Sequence, residues 1–198
     1  MTLRRERQVD LQAIMRFTPE FESDTLIPPG LVQRLRSVFR LDWQGIHGAP
    51  HWARVMHHGL ALAYGNGANP KVMRLFALLH DSQRRNDGHD PQHGNRAGDF
   101  CSKLSKEGVL RLSGDELELL VMACQGHSDG LREAQLTVQT CWDADRLDLG
   151  RVGVRPDPRY LCTTIARGPE RIERAWCWSR ATTREHRRSR FVPQRCRD

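Results

Sequence analysis

Apolar residues recur along this chain at intervals of three and four, the period of a helix with one buried face. In residues 71–81, Val72, Phe76 and Leu79 share a side. In 51–64 the inner stripe is Trp52, Val55, Met56, Gly59 and Leu60. Leu117, Leu120, Val121 and Cys124 form a further stripe, and Val138, Cys141, Trp142 and Leu149 another. Gly and Pro punctuate these runs. PPG at 28–30 precedes a helix, LVQRLRSVFRLDW. GAP at 48–50 precedes a second, from His51 to about Tyr64, which GNGAN stops. Pro70 suits the first turn of a third, over 71–80. HGNRAGDFCSKLSKEG predicts a fourth. SGDELELLVMACQG predicts a fifth, with Ser113 as N-cap and Glu116 three residues on in a capping-box pattern. TVQTCWDADRLDLG reads as a sixth. After PDP at 156–158, PRYLCTTIARG and PERIERAWCWSRA predict one or two more. No stretch alternates at period two, and there is no internal repeat. The expected fold is all-α.

At 198 residues the chain is long enough to bury one sizeable core. A single domain over residues 1–178 is the expectation. No apolar run reaches membrane-spanning length. The start, MTLRRERQVD, has no apolar segment behind it, so no secretory leader is expected. Cys101, Cys124, Cys141, Cys162, Cys177 and Cys196 are scattered without a CxxC pair. That spacing points to reduced thiols and a cytoplasmic location, not to a disulfide framework or a zinc knuckle. The net charge of +7 suggests a nucleic-acid partner, but its distribution weakens the suggestion. From residue 179 onward there are seven Arg against one Glu and one Asp, a net of +5, which leaves about +2 on the first 178 residues. The excess is a basic tail, residues 179–198, expected to be flexible.

Chemistry enters with the polar residues that fall on the apolar stripes. His51 lies one turn before Val55 and faces inward. His80 closes its helix at the border of the buried side, and Asp81 follows. His127 continues the Leu117–Cys124 stripe. Asp145 stands three residues after Trp142, while Asp143 falls on another side. A lone inward histidine is commonly a satisfied core residue. Four helices that each aim His or Asp inward are a different matter, because an unpaired buried carboxylate costs several kcal/mol. A cation would compensate. Imidazole and carboxylate together suit Zn, Mn, Fe, Ni or Co, and carboxylates also accept Mg. With no neighbouring cysteine motif, a closed structural zinc site is disfavoured.

His51, then His80-Asp81, then Asp145 resemble the H…HD…D signature of the HD superfamily of metal-dependent phosphohydrolases. The contexts HGAPHWARV, LFALLHD and DADRLDLG resemble it too. The likeness spans about residues 45–155. It implies a helical bundle with the metal ligands on its inner helices. Some members hold a second ion with two further histidines, and His93 and His127 stand where those would be. Asp81 would then bridge the ions. In many bimetallic relatives a basic residue three positions after the Asp contacts phosphate, and here that residue is Arg84. Asp87 and His89 are expected in the loop facing substrate or supporting the ligands. His57 and His58 fall outside the motif and are read as ordinary. Arg85 is read as a solvated charge. Arg146 is a candidate to hold phosphate or to pair with Asp143 or Asp148.

The implied activity is hydrolysis of a phosphate ester, with a small phosphorylated metabolite or a nucleotide as substrate. One or two divalent ions would acidify water from about 15.7 toward about 7. Asp81 would orient that water, and Arg84 would stabilise charge on the phosphoryl oxygens. No phosphate-cradling Gly-rich loop and no GxSxG serine motif is present. Two rivals remain. A di-iron oxygenase can use a similar six-ligand set on the same scaffold. A non-catalytic nucleic-acid-binding module could act through the basic tail.

Overall fold

The computed structural model describes residues 27–190, and side chains through residue 181. The charged N-terminal stretch and the last eight residues, with Cys196, lie outside the described residues. Within the described part every regular element is helical, with no strand. The helices are α1 (Leu31–Val38), α2 (Ala49–Asn66), α3 (Pro70–Leu79), α4 (His93–Lys106), α5 (Gly114–Gly126), α6 (Leu136–Leu147) and α7 (Pro169–Arg190). Short 3₁₀ turns span Asp148–Val152 and Pro158–Tyr160. No helix among the described residues is long and apolar enough to cross a membrane.

The punctuation read from the sequence sets most of these boundaries. Asn69 caps α3 by accepting hydrogen bonds from the amides of Lys71 and Val72. Ser113 and Glu116 form the reciprocal capping box of α5. Gly67, at φ 79°, ends α2 in the left-handed region, where a Cβ is strained. The expected first helix is cut short: Phe39 turns extended at ψ 127°, ending α1 at Val38. The aromatic rings of Phe39, Trp43 and Trp52 then meet edge to face and hold the following loop against α2.

The bundle packs α2 on α3 and α6, and α4 on α5, around a core that includes Trp52, Phe76, Leu79, Leu120 and Trp142. A smaller apolar cluster of Leu62, Leu147, Leu161, Ala166, Ile172 and Ala175 seats α7. The helix expected over PRYLCTTIARG does not form; only Pro158–Tyr160 is helical there, as a 3₁₀ turn. Asp143 is the reason. Its carboxylate accepts from the amides of Cys162 and Thr163 and from the Thr163 hydroxyl, so those amides are satisfied without a helix. The expected end of the domain, residue 178, falls inside a helix. The last helix runs through it to Arg190, and Ser179 is fully buried.

Candidate metal centre

Six residues from five segments converge inside the bundle. His51 comes from the first turn of α2, and His80 and Asp81 from the end of α3. His93 opens α4, His127 follows α5, and Asp145 lies in the last turn of α6. All six are buried. Two overlapping groups can each hold a metal ion: His51, His80 and Asp81; and Asp81, His93 and His127.

Asp81 divides its two oxygens between the groups. Its Oδ2 lies 3.5 Å from His51 Nε2 and 3.7 Å from His80 Nε2. Its Oδ1 lies 3.3 Å from His93 Nε2 and 3.6 Å from His127 Nε2. Asp145 Oδ1 joins the first group, 3.4 Å from His51 Nε2 and 3.9 Å from His80 Nε2.

The protonation of the rings follows from their outer contacts. Each Nδ1 faces an acceptor and must donate to it: His51 to Asp148 Oδ2 at 2.7 Å, His80 to the Phe76 carbonyl at 3.1 Å, His93 to the Asp90 carbonyl at 2.5 Å, and His127 to the Cys124 carbonyl at 2.7 Å. In the neutral rings every Nε2 is then a bare lone pair. Yet His51 Nε2 sits 3.0 Å from His80 Nε2, and His93 Nε2 sits 2.8 Å from His127 Nε2. Lone pairs at that separation repel unless a proton or a cation lies between them. Asp145 Oδ1 is also buried without a hydrogen-bond partner. A centre lined only by acceptors fits a divalent ion, and the N/O donor set fits the borderline metals.

The electrostatics agree in direction. Burial pushes His80 down to about 3, against the pull of Asp81 and Asp145, so its ring stays neutral. Burial alone would raise Asp81, but His80, His127, Arg84 and His51 outweigh it and hold the carboxyl well below its usual range. Asp145 is likewise held low, with His51, Arg151 and His80 overcoming burial. His127 goes the other way. Burial would lower it, but hydrogen bonding to Asp81 and the charges of Asp81 and Asp145 raise it. A proton on His127 therefore occupies ground that a metal ion would contest.

The remaining candidates divide. Arg84 places Nε 2.8 Å from Asp81 Oδ1 and Nη1 3.3 Å from the Gly88 carbonyl, so it flanks the centre and is partly engaged by it. Asp87 reaches back to the buried His47, Oδ1 to Nδ1 at 2.8 Å, and joins the loops on either side of the site. His89 and Arg85 are exposed. Arg146 pairs with neither Asp143 nor Asp148. Its guanidinium donates to the carbonyls of Tyr160 and Leu131 and to Cys162 Sγ, which makes it a loop brace. His58 is buried with Nε2 unpartnered, beside the Trp178 ring at 5.2 Å, while His57 is exposed.

Sequence reasoning missed three groups beside the centre. Asp148 is fully buried and holds His51. Arg54 pairs with Asp148, Nε to Oδ1 at 2.7 Å. Arg151 places Nη2 3.6 Å from Asp145 Oδ1. A signal existed for two of them: Asp148 follows Asp145 by three residues, and Arg54 follows His51 by three, each on the same helical side as its neighbour.

No family model matches the chain, and no curated relative matches it. The fold, however, is matched by the crystal structure of a predicted HD superfamily hydrolase from an uncultured Thermotogales bacterium. The TM-score is 0.58 at 23% identity, covering 81% of this chain and 93% of that one. The all-helical architecture is therefore one that this predicted hydrolase shares, and within it the two His/Asp groups are each placed so that they could hold a metal ion.

Proposed function

We propose that this protein is a metal-dependent hydrolase that cleaves a phosphate ester of a small metabolite or nucleotide. The observation that carries the reading is the centre of facing imidazole Nε2 atoms, 3.0 and 2.8 Å apart in two pairs, closed by two carboxylates. His51, His80, Asp145 and Asp81 Oδ2 would hold one divalent ion, and Asp81 Oδ1, His93 and His127 a second. When bound, the ions supply Lewis-acid activation of a water nucleophile and neutralise developing phosphoryl charge. The protein's own residues bind and orient. Asp81 and Asp145 offer carboxylate oxygens to align a water, and Arg84 and Arg151 stand beside those same carboxylates. A guanidinium in that place can fork onto phosphate oxygens.

Charge balance favours an anionic substrate. Asp81, Asp145 and Asp148 are each accompanied by an arginine: Arg84, Arg151 and Arg54. With neutral histidines those charges cancel, so every divalent ion added leaves a positive excess. A phosphate dianion is suited to meet it.

The test is metal analysis of protein purified without chelator, then a screen of phosphomonoesters and nucleotides with Mn, Co, Ni, Mg and Fe. Bound metal and metal-dependent phosphate release are expected. Iron with substrate-dependent oxygen consumption, and no phosphate release, would transfer the site to the oxygenase reading. Arg84→Ala is expected to raise KM about tenfold or more while metal content stays unchanged, in line with loss of a charge-assisted phosphate contact. Loss of metal in that variant would make Arg84 a support of Asp81 instead.

A further inference from the structure

Among the four histidines of the centre, His51 alone is backed by a carboxylate. His80, His93 and His127 donate Nδ1–H to backbone carbonyls. Asp148 is fully buried and makes four side-chain contacts. Oδ2 accepts from His51 Nδ1 at 2.7 Å and from Arg54 Nη2 at 3.0 Å. Oδ1 accepts from Arg54 Nε at 2.7 Å and from the Ser179 hydroxyl at 2.6 Å. The first two partners belong to α2, the last to α7.

Stability does not explain this arrangement. A buried ion pair seldom stabilises a fold more than apolar side chains of the same volume. What apolar residues cannot do is orient an imidazole. A carboxylate on Nδ1 fixes the tautomer, turns the ring, and strengthens Nε2 as a donor to a metal. Arg54 and Ser179 in turn fix the carboxylate, so that it has one orientation.

We infer that Asp148 is a positioning residue of the metal centre, which holds His51 with its proton on Nδ1 and its Nε2 toward the ion, and which ties that half of the centre to α7 through Ser179. The inference rests on the metal-binding reading above, but its first test does not. Long-range ¹⁵N–¹H correlation in metal-free protein reports the His51 tautomer directly. The wild-type ring is expected with Nδ1 protonated, and Asp148→Asn is expected to populate the other tautomer. In metal titration, Asp148→Asn is expected to weaken one equivalent about 10–100-fold and leave the other at wild-type affinity.

Asp148→Asn leaves Arg54 buried and unpaired, so it can unfold the chain. The double variant Asp148→Asn/Arg54→Gln removes both charges together and leaves two amides that can hydrogen-bond in their place. It is expected to fold, by circular dichroism and thermal melting, and to show the same selective loss. His51 protonated on Nε2 in the wild type, or unchanged affinity for both equivalents in a folded variant, overturns the assignment. A wild-type protein that binds no metal defeats the metal-binding reading, while the tautomer comparison still decides the role of Asp148.

Discussion

The two halves of the His/Asp centre share Asp81 but are supported by different means. In the half with His51, His80 and Asp145, His80 donates to the Phe76 carbonyl but His51 and Asp145 are backed by charge: Asp148, Arg54 and Arg151 stand behind them, on α2 and on the turn after α6. The half with His93 and His127 is backed by backbone. Each of those rings donates to a carbonyl three residues before it, near a helix end. A charge-backed ring is a stronger donor and is held in one orientation by several elements. A carbonyl-backed ring is only as well placed as the helix end that carries it. One half should therefore bind first and tightly, and the other should respond to pH and to helix packing.

Asp81→Ala should have the largest effect, because it removes an oxygen from both halves. Complete loss of bound metal and of turnover is expected. Retention of one equivalent, measured by metal analysis after desalting, would show that the halves are independent. The contrast itself is sharpened by His51→Ala against His127→Ala. Each should drop the metal content from two to one, the first sparing the carbonyl-backed half and the second sparing the charge-backed one. Loss of both ions in both variants would mean that the centre assembles as one unit.

Acid should separate the halves next. His127 has its pKa raised by Asp81 despite burial, so a proton stays on it to higher pH than on an ordinary histidine. An ion must displace that proton, and below the raised pKa the affinity of this half should fall about tenfold per pH unit. His80 is driven down to about 3 by burial and offers no such competition at neutral or mildly acidic pH. Calorimetric titration at falling pH should therefore weaken the His127 equivalent first. Parallel weakening of both would remove the electrostatic distinction between them.

How much of this could be read from the sequence follows the range of the interactions. His51, His80, His127 and Asp145 were legible because helical spacing alone turns them toward an apolar stripe. His93 was legible only through its place in the resemblance, since a helix-opening residue carries no facial pattern of its own. The role of Asp148 was not legible. A charged residue next to a stripe looks the same in sequence whether it pairs in solvent or holds a ligand, and its partners His51 and Ser179 lie 97 and 31 residues away. The failed helix after Pro158 has the same origin. Its local pattern is acceptable, but Asp143 supplies a competing acceptor 19 residues upstream, and tertiary contact overrides propensity.

The smallest change that bears on the comparison is at Gly94, beside His93. A Cβ built there would lie 2.7 Å from the Cys124 carbonyl oxygen and 2.8 Å from that of Gln125. Both obstacles are backbone, so no rotamer change relieves them, and α4 must move away from α5 by several tenths of an ångström. The same Cys124 carbonyl holds His127, and the separation passes directly into the 2.8 Å approach of His93 Nε2 to His127 Nε2. Gly94→Ala should cost about 1–3 kcal/mol of stability by overpacking. It should also weaken the carbonyl-backed equivalent severalfold in metal titration, with the charge-backed equivalent unchanged. Gly59→Ala is the control. Its Cβ would meet the Met73 side chain at Sδ, where α2 packs on α3 under the other half. A thioether can swing aside where a carbonyl cannot, and the Asp148–Arg54 pair holds His51 independently of that contact. Gly59→Ala should therefore spare both equivalents. If it loosens the charge-backed ion as much as Gly94→Ala loosens its partner, then helix spacing governs both halves, and the backing charges do not insulate His51.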